Sequence, residues 1–258
     1  MSRNKWWILA LCALPVLAGC GGGAKEETSE TPSTEAPAAT AAVDTANAGG
    51  VSGAVTYAGP DTDTPIAMAA DPVCMGLHPT PVDTNEIAVK DGKLGNVFVY
   101  VKSGLEGKTF PAPATKAEID QQGCQYTPRV QGMQTGQTLS VKNTDATLHN
   151  VHALPTVNQE FNQAQPQGLP PIDKVFDKQE VMVHVKCDVH PWMTAWVGVL
   201  PHPYFAVSGD DGSFSIKNLP PGKYTLEAWH EKLGTQTQEV TIAPNQTATV
   251  SFDFKPKA

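Results

Sequence analysis

From Val51 to Phe254 the chain is written almost entirely in short β-branched and aromatic runs, each soon broken by Gly, Pro, Asn or Asp. Val51–Tyr57 alternates in the manner of a half-buried strand. Gly95–Lys102, Thr138–Val141, Val181–Val185 and Trp196–Leu200 repeat the theme, followed by Ser213–Ile216, Tyr224–Trp229, Glu239–Ile242 and Thr247–Phe254. No run of ten or more residues keeps a convincing helical period; Ala114–Gln122 could form one short helix. Strands at this spacing build sandwiches or barrels, so the expected fold class is all-β. The roughly 208 residues from Val51 to Ala258 suffice for one large or two small β domains.

The N-terminus carries a different message. Arg3 and Lys5 precede an apolar run, Trp6–Ala18, that is shorter than the roughly 20 residues needed to cross a bilayer. This is the layout of a secretory signal. Leu17-Ala18-Gly19-Cys20 resembles a bacterial lipobox, which implies a signal over residues 1–19, cleavage before Cys20 and lipidation of its thiol. Gly21, where an inner-membrane lipoprotein would carry Asp, points to the outer membrane. The expected location is therefore extracytoplasmic (periplasmic) and membrane-anchored. Residues 20–50 are rich in Gly, Ala, Thr, Ser, Pro and Glu and lack aromatic residues, so they read as a disordered tether. A coil of that length has a reach of roughly 30 Å.

The formal charge of −8 makes nucleic acid an unfavourable partner. Of the five cysteines, Cys12 belongs to the signal and Cys20 to the lipid anchor. Cys74, Cys124 and Cys187 remain, an odd number for an oxidising compartment. The economical solution is a Cys74–Cys124 disulfide with Cys187 kept for a metal; the alternative joins Cys74 and His78 as a second metal pair.

Cys187-Asp-Val-His190-Pro-Trp-Met193 is the most informative stretch. It sets a thiolate, an imidazole and a thioether on one loop between two apolar strands. Soft sulfur with imidazole selects copper, and two histidines, one cysteine and a weak axial methionine form a blue-copper set. The second imidazole comes from Leu148-His149-Asn-Val-His152, just after the strand that begins at Thr138. On a strand, His149 and His152 face opposite ways, so only one of them can reach the ion.

These two stretches, their ligands 38 residues apart, resemble the cupredoxins, and most closely the amicyanin and pseudoazurin-like members. The resemblance covers residues 105–200 and implies a Greek-key β-sandwich. It implies that His149, Cys187, His190 and Met193 are the ligands of one type 1 copper. It also implies that the backbone N–H of Asn150 steadies the Cys187 sulfur, and that the His190 edge emerges through an apolar docking patch at Pro191 and Trp192. Residues 201–258 open on Pro201-His202-Pro203 and carry the turns Gly209–Gly212 and Leu219–Gly222. They resemble a carboxypeptidase regulatory-like, transthyretin-like sandwich. Fifty residues make a thin sandwich, and residues 51–104 look able to supply its first strands.

The function implied is a one-electron carrier that docks transiently with a redox donor and acceptor; no catalytic site is expected. The alternative is a copper store, chaperone or sensor without redox traffic. His78, His152 and His230 take no assigned role, and His202 reads as linker.

Overall fold

A computed structural model describes residues 45–256 of the chain. The expected signal, the lipidated Cys20 and most of the tether lie outside the described residues. Eighteen strands and one helix follow in chain order: β1 (Gly49–Tyr57), α1 (Pro72–Leu77), β2 (Val89–Lys90), β3 (Lys93–Leu94), β4 (Phe98–Ser103), β5 (Ala117–Gln121), β6 (Tyr126–Thr127), β7 (Val130–Gln134), β8 (Thr138–Asn143) and β9 (His149–Leu154). They continue with β10 (Phe161–Gln165), β11 (Ile172–Val175), β12 (Glu180–Lys186), β13 (Thr194–Leu200), β14 (Phe205–Val207), β15 (Ser213–Leu219), β16 (Gly222–His230), β17 (Gly234–Ile242) and β18 (Thr247–Phe254).

The first sandwich pairs a five-stranded sheet, β10-β9-β12-β13-β7, with a four-stranded sheet, β11-β8-β5-β6. Between them Ile119, Leu139, Val141, Val151, Val183 and Val197 form a dry core. The segment 114–122 is a strand where a short helix was expected. Ile119 and Gln121 are buried on β5, which runs parallel to β8 from Ala117↔Leu139 to Gln121↔Asn143. Period-two burial and a ready partner override the local helix propensity.

The second sandwich is closed from both ends of the chain. β1 lies between β15, antiparallel, and β18, parallel, while β4 lies between β14 and β16. Strands from residues 49–103 thus complete the sheets of residues 205–254, and the first sandwich lies between them in sequence. β1 begins at Gly49, inside the expected tether.

Two strands explain how the sandwiches adhere. β4 turns Val99 and Val101 into the second core and Phe98 and Tyr100 outward. β13 turns Ala195, Val197 and Val199 into the first core and Leu200 the other way. Both faces are covered, so Phe98–Val101 and Ala195–Leu200 read as apolar runs without polar alternation. Gly132 and Gly198 make the approach possible: a Cβ on either would sit 2.4 or 2.5 Å from the rings of Phe205 and Phe98. His202, expected to be linker, is buried beside this junction with its Nε2 2.9 Å from the Val101 carbonyl.

Glu180, at the start of β12, fastens the 156–158 loop. Its carboxylate accepts hydrogen bonds from the backbone N–H groups of Thr156, Val157 and Asn158. Burial works against the charge, but these donors outweigh it and hold the carboxyl at about 2, below its ordinary 4.5. A depressed carboxylate stabilises the fold above its unfolded pKa and loses that contribution as pH falls toward the folded value. Glu180→Gln should lower stability at pH 7 by about 2 kcal/mol, with the deficit shrinking below about pH 4.5. Chemical denaturation of both proteins at pH 7 and pH 3 checks this; an equal deficit at both would contradict it.

Candidate metal centre

The loop between β12 and β13 closes on itself. The Cys187 N–H donates to the Met193 carbonyl at 3.2 Å, and the Met193 N–H donates to the His190 carbonyl at 2.9 Å. Asn150 on β9 binds the loop from the side, its Oδ1 accepting from the Asp188 N–H at 2.6 Å. The Tyr126 hydroxyl donates to the carbonyls of Asn150, at 2.5 Å, and Lys186, at 3.1 Å. The ends of three strands are thereby held in one place.

There the structure brings together His149, Cys187 and His190, whose ligand atoms lie within 4.8 Å of one another. All three are buried. The Nδ1 atoms of the two imidazoles are 2.8 Å apart, and His190 Nδ1 is 3.8 Å from the Cys187 sulfur. Met193 is buried in the same cluster as Cys187. His152 faces away, between Asp188 and Glu160 at 2.9 Å each. Cys74 and Cys124 form a disulfide, and Cys187 is the free thiol among the described residues. The alternative of a Cys74–His78 metal pair is thereby excluded; His78 Nε2 instead meets the Gly123 carbonyl at 2.7 Å. His230 lies in the second sandwich, its Nδ1 accepting from the Lys232 and Leu233 N–H groups.

The outer nitrogen of each imidazole meets a carboxylate. His149 Nε2 is 2.9 Å from Asp145, and His190 Nε2 is 3.0 Å from Asp71. A carboxylate accepts only, so each Nε2 carries the proton and a neutral ring turns its Nδ1 lone pair inward. Two lone pairs at 2.8 Å repel unless a cation is shared between them. Without a metal ion, a proton answers the same need. Burial lowers the His149 pKa, yet Asp145 and Cys187 outweigh it and raise it to about 9. Burial raises the Cys187 thiol; the His149 hydrogen bond and the backbone N–H groups of Asn150, His190 and Val189 bring it below its ordinary value. A thiolate and two lone pairs in a buried pocket are a fitting donor set for a soft metal ion.

One expectation fails. The His190 edge does not emerge at the surface: the side chain is 3% exposed. The chain between β1 and β2 crosses over it, with Asp71 capping α1 through the Val73 and Cys74 N–H groups and the Cys74 sulfur 3.7 Å from His190 Nε2. Trp192 is half-buried under this crossing, its Nε1–H donating to the Cys124 carbonyl at 3.0 Å. Pro191 and Val189 remain exposed. Asp71 and Asp145 were not foreseen. Asp71-Pro72 is a legible helix start, an acid at the N-cap before proline, but nothing in the sequence aims it at position 190.

Residues 197–255 match the carboxypeptidase regulatory-like domain. The match thus takes in the last four residues of β13 and all of β14–β18. No curated protein matches the chain. Among solved structures, the chain is similar to a purple cupredoxin from Nitrosopumilus maritimus, with 22% identity, a TM-score of 0.28, and coverage of 33% of this chain and 99% of that one. A reduced amicyanin variant gives 20% identity, a TM-score of 0.30, and coverage of 39% and 97%. The copper-containing nitrite reductase of Thermus scotoductus gives 18% identity, a TM-score of 0.32, and coverage of 39% of this chain and 25% of that one.

The geometry separates the two histidines of β9. His149→Ala should weaken copper binding by more than about a hundredfold, while His152→Ala should leave it within about threefold. Competition titration against a chelator measures both; equal losses would mean that the ligand has been misassigned.

Proposed function

We infer that this chain is a blue-copper protein that carries one electron at a time. The observation that supports this most strongly is the buried trio of His149, Cys187 and His190, with both Nδ1 atoms turned toward one sulfur. Met193, in the same buried cluster, would be the fourth residue to hold the ion in this reading. Copper bound there supplies one-electron chemistry, alternating between Cu(II) and Cu(I).

The protein's own part is to hold the donors still. The Cys187 sulfur accepts from the His190 N–H at 3.4 Å and is also steadied by the backbone of Asn150. The loop hydrogen bonds between Cys187, His190 and Met193 fix its shape. Donors that do not move on a change of charge keep reorganisation small, whatever part strain plays in setting the geometry. Val151, Val185 and Ala195 are fully buried in the same apolar cluster as Cys187.

The electron's route differs from that implied by the family resemblance. With Asp71 over it, His190 lines an apolar groove together with Ile66, Ala67, Ala70, Val189, Pro191 and Trp192. The Trp192 and His190 rings are 5.1 Å apart. A redox protein partner would dock in this groove, and such encounters are small and transient. A lipid anchor at Cys20 would confine that search to a membrane surface, outside the cytoplasm.

The burial of His190 favours one other reading, a copper store or sensor in which the ion is meant to be shielded. The two readings part in an optical spectrum of the copper-loaded protein. The carrier reading expects an intense blue thiolate-to-copper band that bleaches on reduction and returns on oxidation. Cys187→Ser should abolish it. A loaded, colourless protein would favour storage and contradict electron carriage.

A further inference from the structure

The segment that covers His190 does more than shield it. Asp71 Oδ2 is shared between His190 Nε2 at 3.0 Å and the Thr147 hydroxyl at 3.1 Å, while Oδ1 caps α1 through Val73 at 2.7 Å and Cys74 at 3.1 Å. The carboxylate is therefore held at four points. Asp145 is held as firmly, accepting the Gly123 and Cys124 N–H groups at 2.7 Å each. The Cys74–Cys124 disulfide joins the two segments that position these acids: Cys74 lies on the helix that Asp71 caps, and Cys124 donates to Asp145. Met68, Ile66, Val82 and Trp192 pack around the bridge.

We propose that Asp71 is a positioning residue for the copper ligand His190 and that, paired with Asp145 on His149, it biases the bound copper toward Cu(II). This rests on the copper reading above. The physical reason is a charge count. With Cys187 as thiolate, three anionic groups surround the ion, Asp71 and Asp145 each acting through a ring. Cu(II) leaves one net negative charge and Cu(I) leaves two. Asp145 is 5% exposed and Asp71 19%, so water screens both poorly. A carboxylate on the outer nitrogen also fixes the tautomer, orients the ring and makes the inner nitrogen a stronger donor. Each effect favours the more highly charged ion. Only an electron is exchanged; no bond to carbon or oxygen is made or broken.

The disulfide sets where Asp71 can be. Without it, α1 would be tied to the copper sandwich by the Asp71 contacts, the His78–Gly123 hydrogen bond and a small apolar cluster. The covering segment is thus a built part of the centre, contributed by the chain before β2 and outside the residues that resemble a cupredoxin.

Asp71→Asn tests this in the full chain. Asparagine caps helices about as well as aspartate, so α1 should survive. The side chain keeps its shape and loses its charge. The expected result is about tenfold weaker Cu(II) binding with Cu(I) binding nearly unchanged. That corresponds to a rise in midpoint potential of about 59 mV, since a tenfold change is 59 mV for one electron. The blue band should persist, and thermal stability should stay close to the parent's. Thr147→Val, which removes a neutral contact to the same oxygen, should shift the potential far less. A variant with unchanged potential and unchanged Cu(II) affinity, in a protein that is still blue, would overturn the proposal and leave the copper reading standing. A parent protein that shows no thiolate band would instead sink the reading on which the proposal rests. Equal loss of both copper affinities with lowered stability would also overturn it, by making Asp71 a structural cap alone.

Discussion

Two hydrogen bonds decide what this centre can be: Asp145 to His149 Nε2 and Asp71 to His190 Nε2. Each places the ring proton on the outside and the lone pair on the inside. A histidine without such a partner can present either nitrogen. With both partners present, the two inner nitrogens and the Cys187 sulfur form a cluster of electron-pair donors in a buried site. That is costly for a protein core unless a cation belongs there. The proposed copper follows from this constraint, and so does the raised pKa of His149, where a proton meets the same demand.

The remainder of the fold can be read as what keeps the two acids and the loop in register. The first sandwich supplies the ends of β9 and β12 and the start of β13, tied by Asn150 and Tyr126. The disulfide ties the Asp71 segment to the turn that grips Asp145. The second sandwich bears on this from the far face of β13. Phe98, Phe205 and Trp229 pack against Val130, Leu200 and Trp196, and the Arg129–Glu231 ion pair at 2.6 Å closes the edge. Because β1 and β4 precede the first sandwich and β14–β18 follow it, the two cores cannot be pulled apart like beads on a thread. The covering segment, 58–88, leaves β1 of one sandwich to lie over the metal centre of the other.

The sequence made the all-β class plain because strand signals are local: alternation, β-branching and turn residues report on their own neighbourhood. It made the loop ligands plain for the same reason, since Cys187, His190 and Met193 share one short connection. His149 needed pattern from a second stretch. Residues 51–104 look able to serve the C-terminal sandwich because that sandwich is thin by itself, and β1 pairs with β15 and β18 from far along the chain. Elsewhere, local signals misled or fell silent. Ala114–Gln122 has helix-forming residues, and pairing with β8 on one side and β6 on the other makes it a strand. His202, between two prolines, looks like linker until Val101 from 101 residues earlier receives it. Asp71 marks a helix start in sequence, yet its contact with His190 spans 119 positions, beside a disulfide that spans 50. Long-range contacts of polar side chains leave no periodic trace, and these are the contacts that distinguish this centre.

The account depends on a single ion being bound by a sulfur and two inward-facing imidazole nitrogens. X-ray absorption at the copper edge of the loaded protein tests this directly. One short sulfur contact together with two imidazole nitrogens in the inner coordination shell is the predicted result. A shell of nitrogen and oxygen alone, with no sulfur, would place copper elsewhere on the chain and contradict the account.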